Sequence, residues 1–291
     1  MSLRDALREH WPEYLIEGWA LGCFMVSVGA FATLLFPPSS PLSFLPDTVR
    51  TVLFAVVIGV TAVLLIHSPC GKRSGAHMNP AVTLAFLRLG KIHPWDALFF
   101  VIAQAVGGTL GVVLVAAVAR ELFAAPPVSY AVTVAGPQGA AIAFIAEAAI
   151  SFGLMATVLA FSSSARLARF TGLAVGVVLA LFIGVELPLS GTSMNPARTL
   201  ASAVPGMMWQ DFWIYLLAPP LGMLAAAQLH LHVRGSAAAG CAKLLHPDNV
   251  RCIHCGHRPP PTLCTATTCA GAKRVSAAAG TGSALCSCRS Q

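Results

Sequence analysis

The chain has 291 residues, of which 56% are hydrophobic and only 10% charged, with a mean hydropathy of +0.76. A soluble domain carries about 25% charged residues, so this composition excludes a water-facing globule and leaves a multi-span membrane protein. The net charge of +7 does not point to nucleic acid, because the basic residues lie in short loops and at the two ends rather than on one surface.

In chain order, the opening stretch MSLRDALREHWPEY is polar and too mixed for the apolar core of a signal peptide. The first long apolar run is therefore expected to remain as a span. A spanning helix needs about 20 mostly apolar residues. Six such spans are predicted, over 14–36, 48–67, 95–119, 138–162, 170–187 and 210–232. Pro37-Pro38 stops the first, HSPCGKRSG stops the second, and Pro219-Pro220 lies inside the sixth. Fifteen of the 18 Lys and Arg fall on the side of the N-terminus, and only Arg50 and Arg120 on the other. That asymmetry predicts both ends in the cytoplasm.

Two apolar pieces are too short to span. NPAVTLAFL, 79–87, follows the second span, and NPARTLASAV, 195–204, follows the fifth. Each opens with Asn, a good N-cap, and Pro, favoured at the first helical position. Each is thus expected to be a half-helix starting at its Asn, one entering from the cytoplasm and the other from outside. The preceding backbone, SGAH and SGTS, is non-helical, which a membrane tolerates only where it lines a cavity or is buried in protein.

The two halves, about 12–119 and 138–232, also match each other within a channel domain of 1–234. Glu17 corresponds to Glu147, Asn79-Pro80-Ala81 to Asn195-Pro196-Ala197, and AQAVGG to APPLGM. Three spans per half make the second copy inverted, and paired Pro-opened short segments are a pointer to a transport site. The fold class is an all-α membrane protein with six transmembrane helices plus two re-entrant half-helices in an inverted repeat. Half-helices meeting N-terminus to N-terminus bring about half a positive charge each to the midplane. Each Asn can cap its helix through its oxygen and still present an NH2 donor to the lumen.

Several residues carry two readings. Glu17 and Glu147 are either a proton relay, which would make a proton-coupled secondary transporter, or acceptors for the backbone of a re-entrant loop. Glu186 is a further candidate brace for the outer loop. His77 is a metal ligand or proton shuttle on one reading and a pore-lining, hydrogen-bonded His on the other. Gly107, Gly108, Gly111 and Gly222 need no chemistry, because small residues let helices approach. No nucleophile–base pair suggests an enzyme.

The two Asn-Pro-Ala copies at half-chain spacing, within SGAHMNPAV and SMNPAR, resemble the aquaporin or major intrinsic protein family, in its bacterial type, over roughly residues 12–232. The resemblance implies a homotetramer in the plasma (inner) membrane, each subunit a passive pore for water that excludes ions and protons. It also implies that Asn79 and Asn195 form the central constriction and that both glutamates are structural. Arg198 would stand in an outer selectivity filter with Ile58, Ile183 and Thr192, Gly184 being the nearest competitor for Ile183. An aliphatic pair departs from the narrow water-only pattern of a His and an aromatic. Thr199 and Ala203 resemble water channels rather than glycerol channels, and Tyr215-Leu216 is mixed. Glycerol, ammonia, urea and peroxide therefore stay open beside water, as does a glycerol facilitator with minor water flux.

The tail, 235–291, holds seven of the nine Cys. Cys252, Cys255, Cys264 and Cys269 are candidate thiolate ligands of a tetrahedral Zn2+, with His254 or His257 as substitutes. The competing reading is a disordered Ala/Gly/Ser/Pro-rich extension with reduced thiols and no cofactor.

Overall fold

The computed structural model describes residues 1–235 and 239–259. Among the described residues, six helices are long and apolar enough to cross a membrane: α1 (Leu3–Leu35), α2 (Asp47–His67), α5 (Pro94–Ala119), α7 (Ala140–Ser162), α8 (Thr171–Ser190) and α10 (Phe212–Arg234). Two half-helices, α4 (Pro80–Arg88) and α9 (Pro196–Gly206), accompany them, with short helices α3 (Pro69–Ser74) and α6 (Glu121–Ala124). No strand occurs among the described residues. Leu15, Leu64, Leu110, Ile145 and Val185 are exposed on the outside of the bundle. Apolar exposure on this scale marks a lipid-facing surface rather than a water-facing one.

The helices depart from the expected spans at three places. α1 starts at Leu3, eleven residues before the apolar run. Ser2 Oγ accepts from the Asp5 N–H at 3.2 Å and Asp5 Oδ2 accepts from the Ser2 N–H at 3.0 Å, a capping box. The polar turns are then held by tertiary contacts, His10 Nδ1 to Asp96 at 2.8 Å and Tyr14 Oη donating to Asp96 at 2.6 Å. α8 runs through Pro188 to Ser190 and ends on Gly191, whose φ of +79° suits a glycine C-cap. α3 is the third departure: Ser68 Oγ caps Gly71 N–H, Pro69 begins the helix, and Gly75, φ +118°, ends it.

The repeat is visible in the packing. α1 crosses α5 where a Cβ on Gly107 would sit 2.0 Å from the Gly18 carbonyl. In the other half, α10 crosses α7 where a Cβ on Gly222 would sit 2.2 Å from the Ala148 carbonyl. The halves meet along α2 and α8, with a Cβ on Gly59 only 2.5 Å from the Gly176 carbonyl. Such backbone-to-backbone approach at small residues is how membrane helices gain packing without a hydrophobic driving force between them.

Residues 239–259 are not a solvated extension. They fold back over the face where α1 begins and α10 ends, burying Ala239, Ala242, Leu244 and Cys252. The Leu244 N–H donates to the Gly75 carbonyl at 3.1 Å. Cys264 and Cys269 lie outside the described residues.

Candidate functional site: a pore between two half-helices

Each half-helix begins as its sequence dictates. Asn79 Oδ1 accepts from the Ala81 N–H at 2.8 Å. Asn195 Oδ1 accepts from the Ala197 and Arg198 N–H groups at 3.0 and 3.2 Å. Pro80 and Pro196 occupy the first helical position, where a missing N–H costs nothing. The side chains then cross. Asn79 Nδ2 donates to the Met194 carbonyl and Asn195 Nδ2 donates to the Met78 carbonyl, both at 2.7 Å. An amide NH2 carries two N–H groups, so each Asn keeps one donor beyond this tie. Both Asn line one cavity with His77, Leu21 and Val158. The half-helix dipoles add positive potential at the same place.

The loops before the Asn residues are strained in the same pattern. Ala76 and Met78 have φ of +56° and +48°, and Thr192 and Met194, their counterparts, both have +51°. Left-handed backbone at non-glycine residues persists only when surroundings fix it. Here the buried carboxylates do so. Glu17 accepts from Ser74 Oγ (2.7 Å), His77 N–H (3.1 Å), Met78 N–H (2.7 Å) and Gln104 Nε2 (2.9 Å). Glu147 accepts from Ser190 Oγ (2.7 Å), Ser193 N–H (2.6 Å) and Met194 N–H (2.7 Å). Three of the partners match pair by pair, as an inverted repeat requires. Glu186 braces the second loop separately, accepting from Thr192 Oγ1 at 2.6 Å.

Beyond the Asn pair, Ile58, Ile183, Thr192 and Arg198 line a second, narrower cavity with Phe54. Arg198 is buried, and its Nη1 donates to the Ala131 carbonyl at 2.7 Å. No carboxylate forms a salt bridge with it among the described residues. Ile183 faces the cavity, whereas Gly184 lies on the outer surface of α2 and α8 with nothing near its Cβ position. Phe54 and the Ala131 carbonyl had no signal in the sequence.

His77 lines the pore, but its Nε2 does not face open water. It donates to the Ala242 carbonyl at 2.6 Å, while Nδ1 meets Thr83 Oγ1 at 3.0 Å. His254 stacks on His77 with ring centroids 5.9 Å apart and donates to the Ser74 carbonyl at 3.0 Å. Burial pulls the His254 pKa from 6.5 down to about 4, and the adjoining His77 ring acts in the same direction. Leu244 enters the cavity that holds both Asn residues. Cys252 and Cys255 come together with Cys241 and His246, neither of which the sequence reading selected. His254 and His257 are engaged elsewhere, His257 with the Asp248 carbonyl at 2.7 Å.

Six spanning helices, two half-helices tied at their Asn caps and a buried Arg without a salt bridge among the described residues define a multi-pass membrane protein with a re-entrant, two-fold pore. The family model for the major intrinsic proteins matches residues 11–230, and the chain belongs to that family. It is 35% identical over 199 residues to aquaporin NIP2-3 of Zea mays, covering 68% of this chain and 62% of that one. It is 36% identical over 187 residues to aquaporin NIP1-1 of Arabidopsis thaliana, covering 62% of each, and 35% identical over 182 residues to nodulin-26 of Glycine max, covering 62% and 65%. The chain thus spans less than two thirds of the length of these three relatives. Its fold is similar to the X-ray structure of the aquaglyceroporin from Plasmodium falciparum, with a TM-score of 0.63 at 19% identity over 78% of this chain and 98% of that one.

Proposed function

We propose that the protein is a passive, bidirectional channel for water and small neutral solutes that excludes ions and protons. The carrying observation is the reciprocal tie between Asn79 and Asn195. It leaves one amide N–H of each aimed away from the tie, at the meeting point of two positive helix ends. A permeant that both donates and accepts hydrogen bonds replaces its water shell there, and a cation meets repulsion. Arg198 adds a second positive barrier in the outer cavity, where its burial without a carboxylate makes it expensive unless it serves the pore.

The filter of Ile58, Ile183, Thr192 and Arg198 favours small uncharged solutes such as glycerol beside water, because Ile58, Ile183 and the neighbouring Phe54 present apolar walls without polar groups that would bind water tightly. Relatives named as aquaporins and a structural neighbour named as an aquaglyceroporin fit that range. No catalytic step is required. The distribution of Lys and Arg supports cytoplasmic termini. The family resemblance supports a homotetramer in the plasma (inner) membrane with one pore per subunit.

The test is stopped-flow light scattering on proteoliposomes of metal-stripped protein, first with sucrose and then with glycerol, beside Arg198→Ala. Fast shrinkage in sucrose with fast re-swelling in glycerol is expected, and Arg198→Ala should conduct glycerol faster. Shrinkage no faster than in empty liposomes would overturn the reading.

A further inference from the structure

We propose that Cys241, His246, Cys252 and Cys255 bind one Zn2+, and that this metal clasps residues 239–259 into a plug that closes the adjacent mouth of the pore. The gating half of the proposal rests on the channel reading above; the metal half does not.

The four ligand atoms lie within 4.8 Å of one another. Cys241 Sγ is 3.3 Å from Cys252 Sγ, and His246 Nε2 is 3.2 Å from Cys255 Sγ. A tetrahedral Zn2+ with Zn–S of about 2.3 Å and Zn–N of about 2.0 Å holds its ligands roughly 3.5–3.8 Å apart. The separations bracket those values, so small side-chain adjustments close the cluster around one ion. None of the three cysteines forms a disulfide among the described residues. Cys252 and Cys255 sit on a tight turn, with Gly256 N–H donating to the Cys252 carbonyl at 3.1 Å and Cys252 N–H to the His257 carbonyl at 2.9 Å. Three sulfurs and one imidazole suit Zn2+ over hard cations, which take oxygen ligands.

Lys243 supplies a second, independent observation. Its side chain is buried, and among the described residues its Nζ donates only to the Lys72 and Arg251 carbonyls, both at 2.9 Å. No carboxylate forms a salt bridge with it among the described residues. A buried ammonium needs a compensating negative charge. Three thiolates around one Zn2+ carry a net charge of minus one, and Lys243 stands two residues from Cys241 with its Nζ on the carbonyl next to Cys252. The metal shell and the buried ammonium neutralise each other.

The clasped segment sits where it would block flow. Ala242 occupies His77 Nε2, His254 covers the His77 ring, and Leu244 projects into the cavity that leads to Asn79 and Asn195. The segment has few apolar residues of its own, and pieces this small hold a fixed shape only with a staple such as a structural metal. Removing the metal therefore releases the plug.

The experiment uses the full chain, purified in detergent and split into Zn2+-loaded and chelator-stripped batches. Co2+ titration of the stripped protein, read by thiolate-to-cobalt absorption, should saturate at one ion per chain. Cys252→Ser should weaken metal binding by at least about tenfold, since loss of even an outer-shell partner of a ligand costs that much. Trypsin should fail to cut after Lys243 in the loaded protein and cut there once the metal is stripped. In liposomes, water permeability should be low when loaded and rise several-fold when stripped. Leu244→Ala should conduct in both batches while binding Co2+ normally. Absence of stoichiometric Co2+, or equal binding by Cys252→Ser, would overturn the metal site. Equal, rapid flux in both batches would overturn the plug. Lack of flux in every batch and in Leu244→Ala would sink the channel reading and the gate with it, leaving the cobalt and trypsin results to decide the metal site by themselves.

Discussion

Asn79 and Asn195 each hold the loop that leads to the other, donating Nδ2 at 2.7 Å to the carbonyl of the methionine that precedes the partner. Capping oxygen and bridging nitrogen belong to the same amide. The half-helices are thereby fixed in mutual position by two side chains, each of which still has an N–H for the lumen.

Asn195→Asp tests that division of labour. A carboxylate caps as well as an amide does, so the Ala197 and Arg198 N–H groups stay satisfied. The donor to the Met78 carbonyl is lost, and an unsatisfied buried group costs about 1–3 kcal/mol. The variant should fold with reduced thermal stability, conduct less water and leak protons. Proton flux, read with a pH-sensitive dye inside the same liposomes used for water flux, is the measurement. A tight variant with normal water flux would mean that the central donors do not exclude cations.

Much of this centre was legible because both Asn-Pro pairs combine capping chemistry with a length too short to span. Glu17 and Glu147 were legible as charges that a bilayer penalises, although their loop-bracing role became specific only through the Ser74, Met78, Ser190 and Met194 partners. The start of α1 was not legible, since local composition there is polar and the turns are secured by Asp96, which lies 86 residues from His10. The docking of residues 239–259 was hidden for the same reason. His77 meets Ala242 across 165 positions, through a backbone carbonyl that any residue could supply. The C-x2-C pair at Cys252 and Cys255 pointed to metal chemistry, but Cys241 and His246 lie upstream at spacings that form no familiar pattern and meet the pair only after the segment folds.

Ile183→His tests the outer filter. The aliphatic side chain faces the cavity of Arg198 and Thr192. An imidazole there narrows the passage and adds a hydrogen-bonding group that favours water. The ratio of glycerol to water permeability should fall several-fold in stopped-flow traces, with water flux retained. An unchanged ratio would locate solute discrimination at the Asn pair instead.

Glu147→Gln separates a structural carboxylate from a proton carrier. Glu147 is fully buried and accepts three hydrogen bonds with both oxygens. Replacing one oxygen by NH2 turns a donor toward existing donors. Hydrogen bonds to charged groups contribute about 1.5–3 kcal/mol each, so the melting temperature should drop clearly. In metal-stripped wild type, glycerol uptake should rise linearly with concentration and ignore an imposed pH gradient. Saturable uptake that follows the gradient, abolished in Glu147→Gln without loss of stability, would mean proton coupling.

The glycine crossings set how far the two halves tolerate change. At Gly222 a methyl group would lie 2.2 Å from the Ala148 carbonyl and 3.0 Å from the Phe152 nitrogen, both backbone atoms that cannot rotate away. Gly222→Ala must therefore push α10 off α7. Those two helices hold Tyr215, whose hydroxyl donates to the Ser190 carbonyl at 2.5 Å, and Glu147, which fixes the Met194 loop. A shift of either disturbs the Asn195 end of the pore. Gly222→Ala should unfold in detergent at markedly lower temperature than wild type and lose most of its water flux. Gly184→Ala, on a surface with nothing near the new methyl, should match or exceed wild-type stability, because alanine is the better helix former by about 1 kcal/mol. Fluorescence-detected size-exclusion after heating compares the two directly. Equal melting of both variants would show that the α7–α10 contact is looser than its backbone distances imply.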